Sequence, residues 1–105
     1  MSGFDDYSAY DGLGLADLVR TGQVHPAEIL DAAIARIESL NPRLNAVVHT
    51  MYDEARRTIA AGLPEGAFAG VPFMLKDLSA LYESTPTTNG SRLFAGHVAD
   101  HDSEI

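Results

Sequence analysis

The stretch from His25 to Pro42 constrains this chain more than any other. Ile29, Leu30, Ala33, Ile34, Ile37 and Leu40 recur at helical spacing, while Asp31, Arg36 and Glu38 take the opposite side. An apolar stripe of that width must be covered, so the chain has to fold as packed layers rather than as a lone helix. The start is marked by Pro26 at the first helical position and by Glu28, placed to reach back to the capping residue. His25 stands at the cap, a weaker acceptor there than Ser or Thr. Asn41-Pro42 predicts the end, because the residue before proline is pushed out of the helical region and proline cannot extend the hydrogen-bond ladder.

The elements on either side follow from the same signals. Asp11 can cap a helix from Leu13 to Thr21, with Leu15, Leu18 and Val19 on its inner face and Gly22 just past its end. Asn45 to His49 is short, apolar and β-branched, which predicts a buried strand. Thr50 offers a cap for a third helix, with Asp53 at N3, Ala55 and Ile59 on one side and Gly62 as its stop. After the loop Leu63-Pro64-Glu65-Gly66 and Gly70 comes Val71-Pro72-Phe73-Met74-Leu75-Lys76-Asp77, a hydrophobic run that ends in a charged pair and predicts a second buried strand. From Ser84 onward the residues are small, polar and turn-forming, and Asn89-Gly90 predicts a turn. No internal repeat is present.

Composition narrows the function classes. At 105 residues the chain is one small domain at most, and its 46% hydrophobic and 21% charged residues are those of a globular protein. Seven basic residues against fifteen acidic ones give a net charge of −8, which repels a phosphate backbone and argues against nucleic acid as a partner. There is no cysteine, which excludes disulfide frameworks, thiolate nucleophiles and cysteine-ligated metals within these residues. The first residues, MSGFDDYSAYDG, have neither the basic nor the apolar part of an export signal, so the expected compartment is the cytoplasm and the Asn89-Gly90-Ser91 sequon is read as a turn. The longest uncharged stretch, Gly66 to Leu75, falls well short of the ~20 apolar residues of a membrane span.

Four groups of residues invite a chemical reading. Lys76, the sole lysine of the chain, closes an apolar run. Desolvation there would favour its neutral form and suit a general base, whereas a stem lying on apolar surface with its amine in water is the plainer reading, and pattern alone favours the latter. His97 and His101, with Asp100 and Asp102, would share a helix face and could hold zinc, yet the glutamate of HExxH is missing and a solvated acidic loop fits better. Gly12-Leu13-Gly14 lacks the preceding strand and third glycine of a nucleotide-binding turn. The seven serines, Ser2, Ser8, Ser39, Ser79, Ser84, Ser91 and Ser103, include no GxSxG elbow and no recognisable neighbouring base.

Taken in order, LADLVRTGQVHPAEILDAAIARIESLNPRLNAVV, GVPFMLKDL, TPTTNGS and ADHDSEI resemble the N-terminal part of an amidase signature family enzyme, from about Leu15 to Ile105. The ending ADHDSE is also similar to the subset that includes 6-aminohexanoate cyclic dimer hydrolase. The resemblance implies an α/β fold, a mixed sheet covered by helices, of which this chain would hold the N-terminal helices and first strands. Residues 1–105 would then be the N-terminal part of a single amidase domain, stopping before the family's Gly/Ser-rich signature. It implies hydrolysis of a small-molecule carboxylic amide by a Ser-cisSer-Lys mechanism with no metal and no cofactor. Lys76, in the matching G-V-P-x-x-x-K-D frame, would be the family's lysine, taking a proton from the cis-Ser that in turn activates the nucleophilic Ser. Neither serine role maps onto the seven serines here, so the 105 residues alone are expected to be inactive and marginally stable. Two alternatives stay open: the glutaminase subunit of a tRNA-dependent amidotransferase, and a non-catalytic fragment. No membrane partner is implied, and homo-oligomerisation is left open.

Overall fold

The structure, a computed structural model, describes residues 4–78 and 80–104. Ser2 and Ser79 lie outside the described residues. The chain divides into two compact units, Met1–Pro72 and Phe73–Ile105.

The first unit is helical. After a 3₁₀ turn at Tyr7–Ala9 come α1 (Gly12–Arg20), α2 (Pro26–Leu44) and α3 (Tyr52–Ala61). The Asp11 carboxylate caps α1 by accepting the Gly14 N–H at 2.8 Å. At its other end Gly22, with φ 77°, closes a Schellman turn: the Gln23 N–H reaches the Leu18 carbonyl at 2.9 Å and the Gly22 N–H reaches that of Val19 at 3.1 Å. The α2 start is a capping box, in which His25 Nδ1 accepts the Ala27 N–H and the Glu28 carboxylate accepts the His25 N–H, each at 3.1 Å. Leu15, Ala16 and Leu18 of α1 and Ile29, Leu30, Ala32 and Ala33 of α2 are buried. Ile29 is fully enclosed and contributes about 1.5–3 kcal/mol by leaving water. The predicted apolar stripe of α2 is thus covered in its first half only; Ile34, Ile37 and Leu40 are half-buried.

Contrary to the expectation from Asn41-Pro42, α2 runs through both residues to Leu44. Pro42 removes one donor, the one the Glu38 carbonyl would receive, and Glu38 is exposed, where water can serve it. The helix ends instead at Asn45, in the left-handed region at φ 49°, whose N–H reaches the Asn41 carbonyl at 2.7 Å. The Asn41 side chain then holds the following segment: its Nδ2 donates to the Val47 carbonyl and its Oδ1 accepts the Val47 N–H, both at 2.9 Å.

Met51 rather than Thr50 stands at the α3 cap, without a side-chain bond, and Asp53 and Glu54 supply the favourable charge of the first turn. Gly62, with φ 101°, ends it as expected. Arg56 pairs with Asp31 of α2 at 2.8 Å, an exposed pair that adds little stability. The Tyr52 hydroxyl is enclosed; burial first, then the Glu38 charge, holds the phenol above its ordinary 10.0.

Among the described residues there is no strand, and neither 45–49 nor 71–77 forms one. A strand is held by ladder partners, and no described segment lies alongside either stretch to supply them.

The second unit is a ragged antiparallel clasp in which residues 81–87 run against 97–103. Ser103 N–H reaches the Leu81 carbonyl at 2.9 Å, Ser84 N–H that of Ala99 at 2.8 Å, Ala99 N–H that of Thr85 at 3.0 Å and Thr87 N–H that of His97 at 3.1 Å. Ser84 and Thr85 both face Ala99, a bulge that accounts for Ser84 at φ 66°. Between the arms lie a turn and a 3₁₀ turn at Arg92–Phe94. Pro86 pairs with Val98 at the position whose main-chain groups face away from the partner, so its missing donor costs the clasp nothing.

Candidate active site

Gly70 introduces the run that carries the candidate base. Its φ of 89° is one that side chains rarely adopt, and a Cβ there would lie 3.1 Å from both Val19 methyl groups. Phe68 closes on α1 in the same way, its ring 3.1 Å from where a Gly12 Cβ would be. The loop therefore seats against α1 of the first unit and delivers Val71 and Pro72 from a fixed point.

Lys76 is exposed and makes no hydrogen bond or ion pair among the described residues. This is the solvated arrangement that pattern alone favours. Its neighbour is different. The half-buried Asp77 accepts the Thr88 N–H on Oδ1 at 2.7 Å and the Asn89 N–H on the same oxygen at 3.3 Å, while Oδ2 accepts a hydrogen bond from the Thr88 hydroxyl. The Thr88 hydroxyl above all, then the Thr88 main-chain N–H, hold the Asp77 carboxyl below 3.8 against the opposing effect of burial, with lesser help from the Asn89 and Gly90 N–H groups.

The donors come from the predicted turn. Asn89 at φ 52° and Gly90 at φ 70° are its two central residues, and the Ser91 N–H closes it on the Thr88 carbonyl at 2.9 Å. Positive φ at both central positions is the type I′ arrangement, which Asn-Gly favours. Thr87, only 6% exposed, ties the turn to the clasp.

At its end away from this turn, the clasp borders an open hollow of about 250 Å³ lined by Phe73, Leu75, Leu81, Tyr82, Asp102 and Ser103. Its polar members serve the main chain: Asp102 Oδ1 accepts the Glu83 N–H at 2.8 Å and Ser103 Oγ the Leu81 N–H at 2.9 Å. His97 and His101 do not share a helix, since 97–101 is irregular. His101 Nδ1 instead lies 2.6 Å from Asp100 Oδ1, and that histidine is the chief cause of the lowered Asp100 pKa. Among the described residues no group of three metal-ligating side chains converges. Of the serines, Ser91 caps the 3₁₀ turn through the Leu93 N–H at 3.2 Å and Ser39 borders a second surface hollow beside Arg36. Thr88 carries most of the Asp77 geometry and has no sequence signal beyond its place in a polar loop.

No helix among the described residues is long and apolar enough to cross a membrane. The sequence model of the Amidase family matches residues 28–105, which include Lys76, Asp77 and the 88–91 turn. The chain is 38% identical over 94 residues to a 6-aminohexanoate-cyclic-dimer hydrolase of Pseudomonas sp. (strain NK87), an alignment covering 88% of the chain and 19% of that relative. It is 36% identical over 107 residues to a glutamyl-tRNA(Gln) amidotransferase subunit of Salinispora arenicola, covering 95% of the chain and 22% of the relative. Solved structures of 6-aminohexanoate cyclic dimer hydrolase, one of them complexed with substrate, match with a TM-score of 0.83 at 36% identity over 94% of this chain and 20% of theirs. The chain thus spans about a fifth of the length of the relatives it matches.

Proposed function

Because the chain belongs to the Amidase family, we propose that residues 1–105 are the N-terminal part of a single amidase domain whose full-length form hydrolyses a small-molecule carboxylic amide. The observation that carries this reading is the family match through the G-V-P-F-M-L-K-D frame that contains Lys76. In it Lys76 is the base, acting on a Ser-cisSer pair that none of the described serines supplies; the amide C–N bond breaks as the acyl group passes to the nucleophilic serine and the amine leaves carrying the proton the serine gave up, and water then releases the acid. Residues 45–49 and 71–77 become strands when the rest of the sheet lies beside them, and the 105 residues alone do not turn over amides. A cytoplasmic setting belongs to the same reading. The similarity to cyclic dimer hydrolases favours a cyclic or linear amide of an amino acid as the substrate class.

In the full-length protein, Lys76→Ala lowers kcat by about 10²–10⁴-fold, the contribution of a positioned general base, in a steady-state assay of amide hydrolysis. Unchanged hydrolysis refutes the assignment. The similarity to an amidotransferase subunit supports a second reading, in which the same chemistry releases ammonia from glutamine for a partner protein. Glutamine-dependent activity that requires tRNA and a co-purifying partner selects it; hydrolysis of free amides without either selects the first.

A further inference from the structure

A general base must stand within about 2.6–3.2 Å of the proton it takes, yet nothing among the described residues holds the Lys76 amine by a hydrogen bond or ion pair. A free lysine side chain is rich in rotamers, so its placement has to begin with its backbone. The strong tie nearest to Lys76 is one residue away, where the Asp77 carboxylate gathers three donors. Consecutive Cα atoms are about 3.8 Å apart, and fixing Asp77 therefore restricts the backbone at Lys76.

The donors are themselves held. Thr88 is closed into the turn by the Ser91 N–H at 2.9 Å, its hydroxyl also meets the Gly90 N–H at 3.3 Å, and the buried Thr87 before it joins the clasp through His97. We propose that Asp77 is the positioning residue of Lys76, its carboxylate pinning the end of the apolar run to the Thr88-Asn89 turn so that the lysine projects from an ordered backbone. The proposal rests on the reading of Lys76 as the base.

The test joins amide hydrogen exchange, ¹⁵N relaxation and steady-state kinetics, all on the full-length protein, for Asp77→Ala, Thr88→Val and Thr88→Ser. Asp77→Ala speeds exchange at Thr88 and Asn89 by about tenfold or more, as loss of hydrogen bonds to a charged group implies, and lowers the order parameter of the Lys76 N–H. Thr88→Val acts in the same direction from the other side of the bond, and Thr88→Ser, which keeps the hydroxyl, restores wild-type values. In the enzyme Asp77→Ala reduces kcat about tenfold or more while KM stays within about twofold. An unprotected Thr88 amide in the wild-type chain overturns the proposal. So does faster exchange with an unchanged Lys76 order parameter, or a raised KM at constant kcat. If Asp77→Ala disorders Lys76 while Lys76→Ala hydrolyses amides normally, the anchor stands and the reading of Lys76 as the base is what fails.

Discussion

At Asp77 a single carboxylate collects donors from two successive residues, and its protonation state decides whether they stay in place. Its folded-state pKa lies below 3.8, so the folded chain binds that proton less tightly than the unfolded one. The anchor is at full strength above pH 3.8 and weakens as pH falls through the depressed value; a ¹³C titration of the Asp77 carboxyl that gave a midpoint at or above 3.8 would contradict it. Gly70 makes a second residue-level prediction. Gly70→Ala combines an unfavourable φ of 89° with two methyl groups at 3.1 Å, and should destabilise the first unit by about 1–3 kcal/mol in urea denaturation. Lys76 is legible in the sequence as the charged end of an apolar run, and the frame around it supplies a role. Thr88 is not, because a side chain that answers a carboxylate eleven positions away leaves no period in the sequence.

Helices and strands differ in how far they can be read, and the difference is physical. A helix closes its hydrogen bonds within its own residues, so Asp11, Pro26, Glu28, Gly22 and Gly62 can be recognised one by one, and each does what its position predicts. A strand needs partners from elsewhere, and the apolar stretches at 45–49 and 71–77 specify a strand without supplying its neighbours. The end of α2 escapes the proline rule because Asn41 outweighs Pro42: its side chain reaches past the helix end to grip Val47. Asn41→Ala should therefore cost about 1–3 kcal/mol by leaving both Val47 groups without their partner, seen as a lower urea midpoint; a change within about 0.5 kcal/mol would mean that the grip is dispensable.

For the molecule as a whole, the apolar run expected to be covered is open. Phe73 is 78% exposed and Met74 67%, and outside that run Leu78 and Leu93 lie open as well. Side chains of this size in water invite association, and the 105-residue chain is expected to bind an apolar fluorescent dye such as ANS and to self-associate as concentration rises. A monomer at every concentration with no dye enhancement would show that these residues are covered in solution. The family match gives the same observation a second meaning, since about four-fifths of each relative's length lies outside the alignment.

The pairing of Pro86 with Val98 gives the clasp two unlike edges. Because those two residues turn their main-chain groups outward, the 97–99 arm presents both an N–H and a carbonyl at Val98, and the 81–87 arm presents only a carbonyl at Pro86. A strand laid along 97–99 completes its hydrogen bonds at that point, and one laid along 84–87 finds no donor there. Any sheet extended from this clasp therefore grows more readily from its 97–99 arm, and the same asymmetry leaves the 84–87 arm a poor template for a stray copy of the chain.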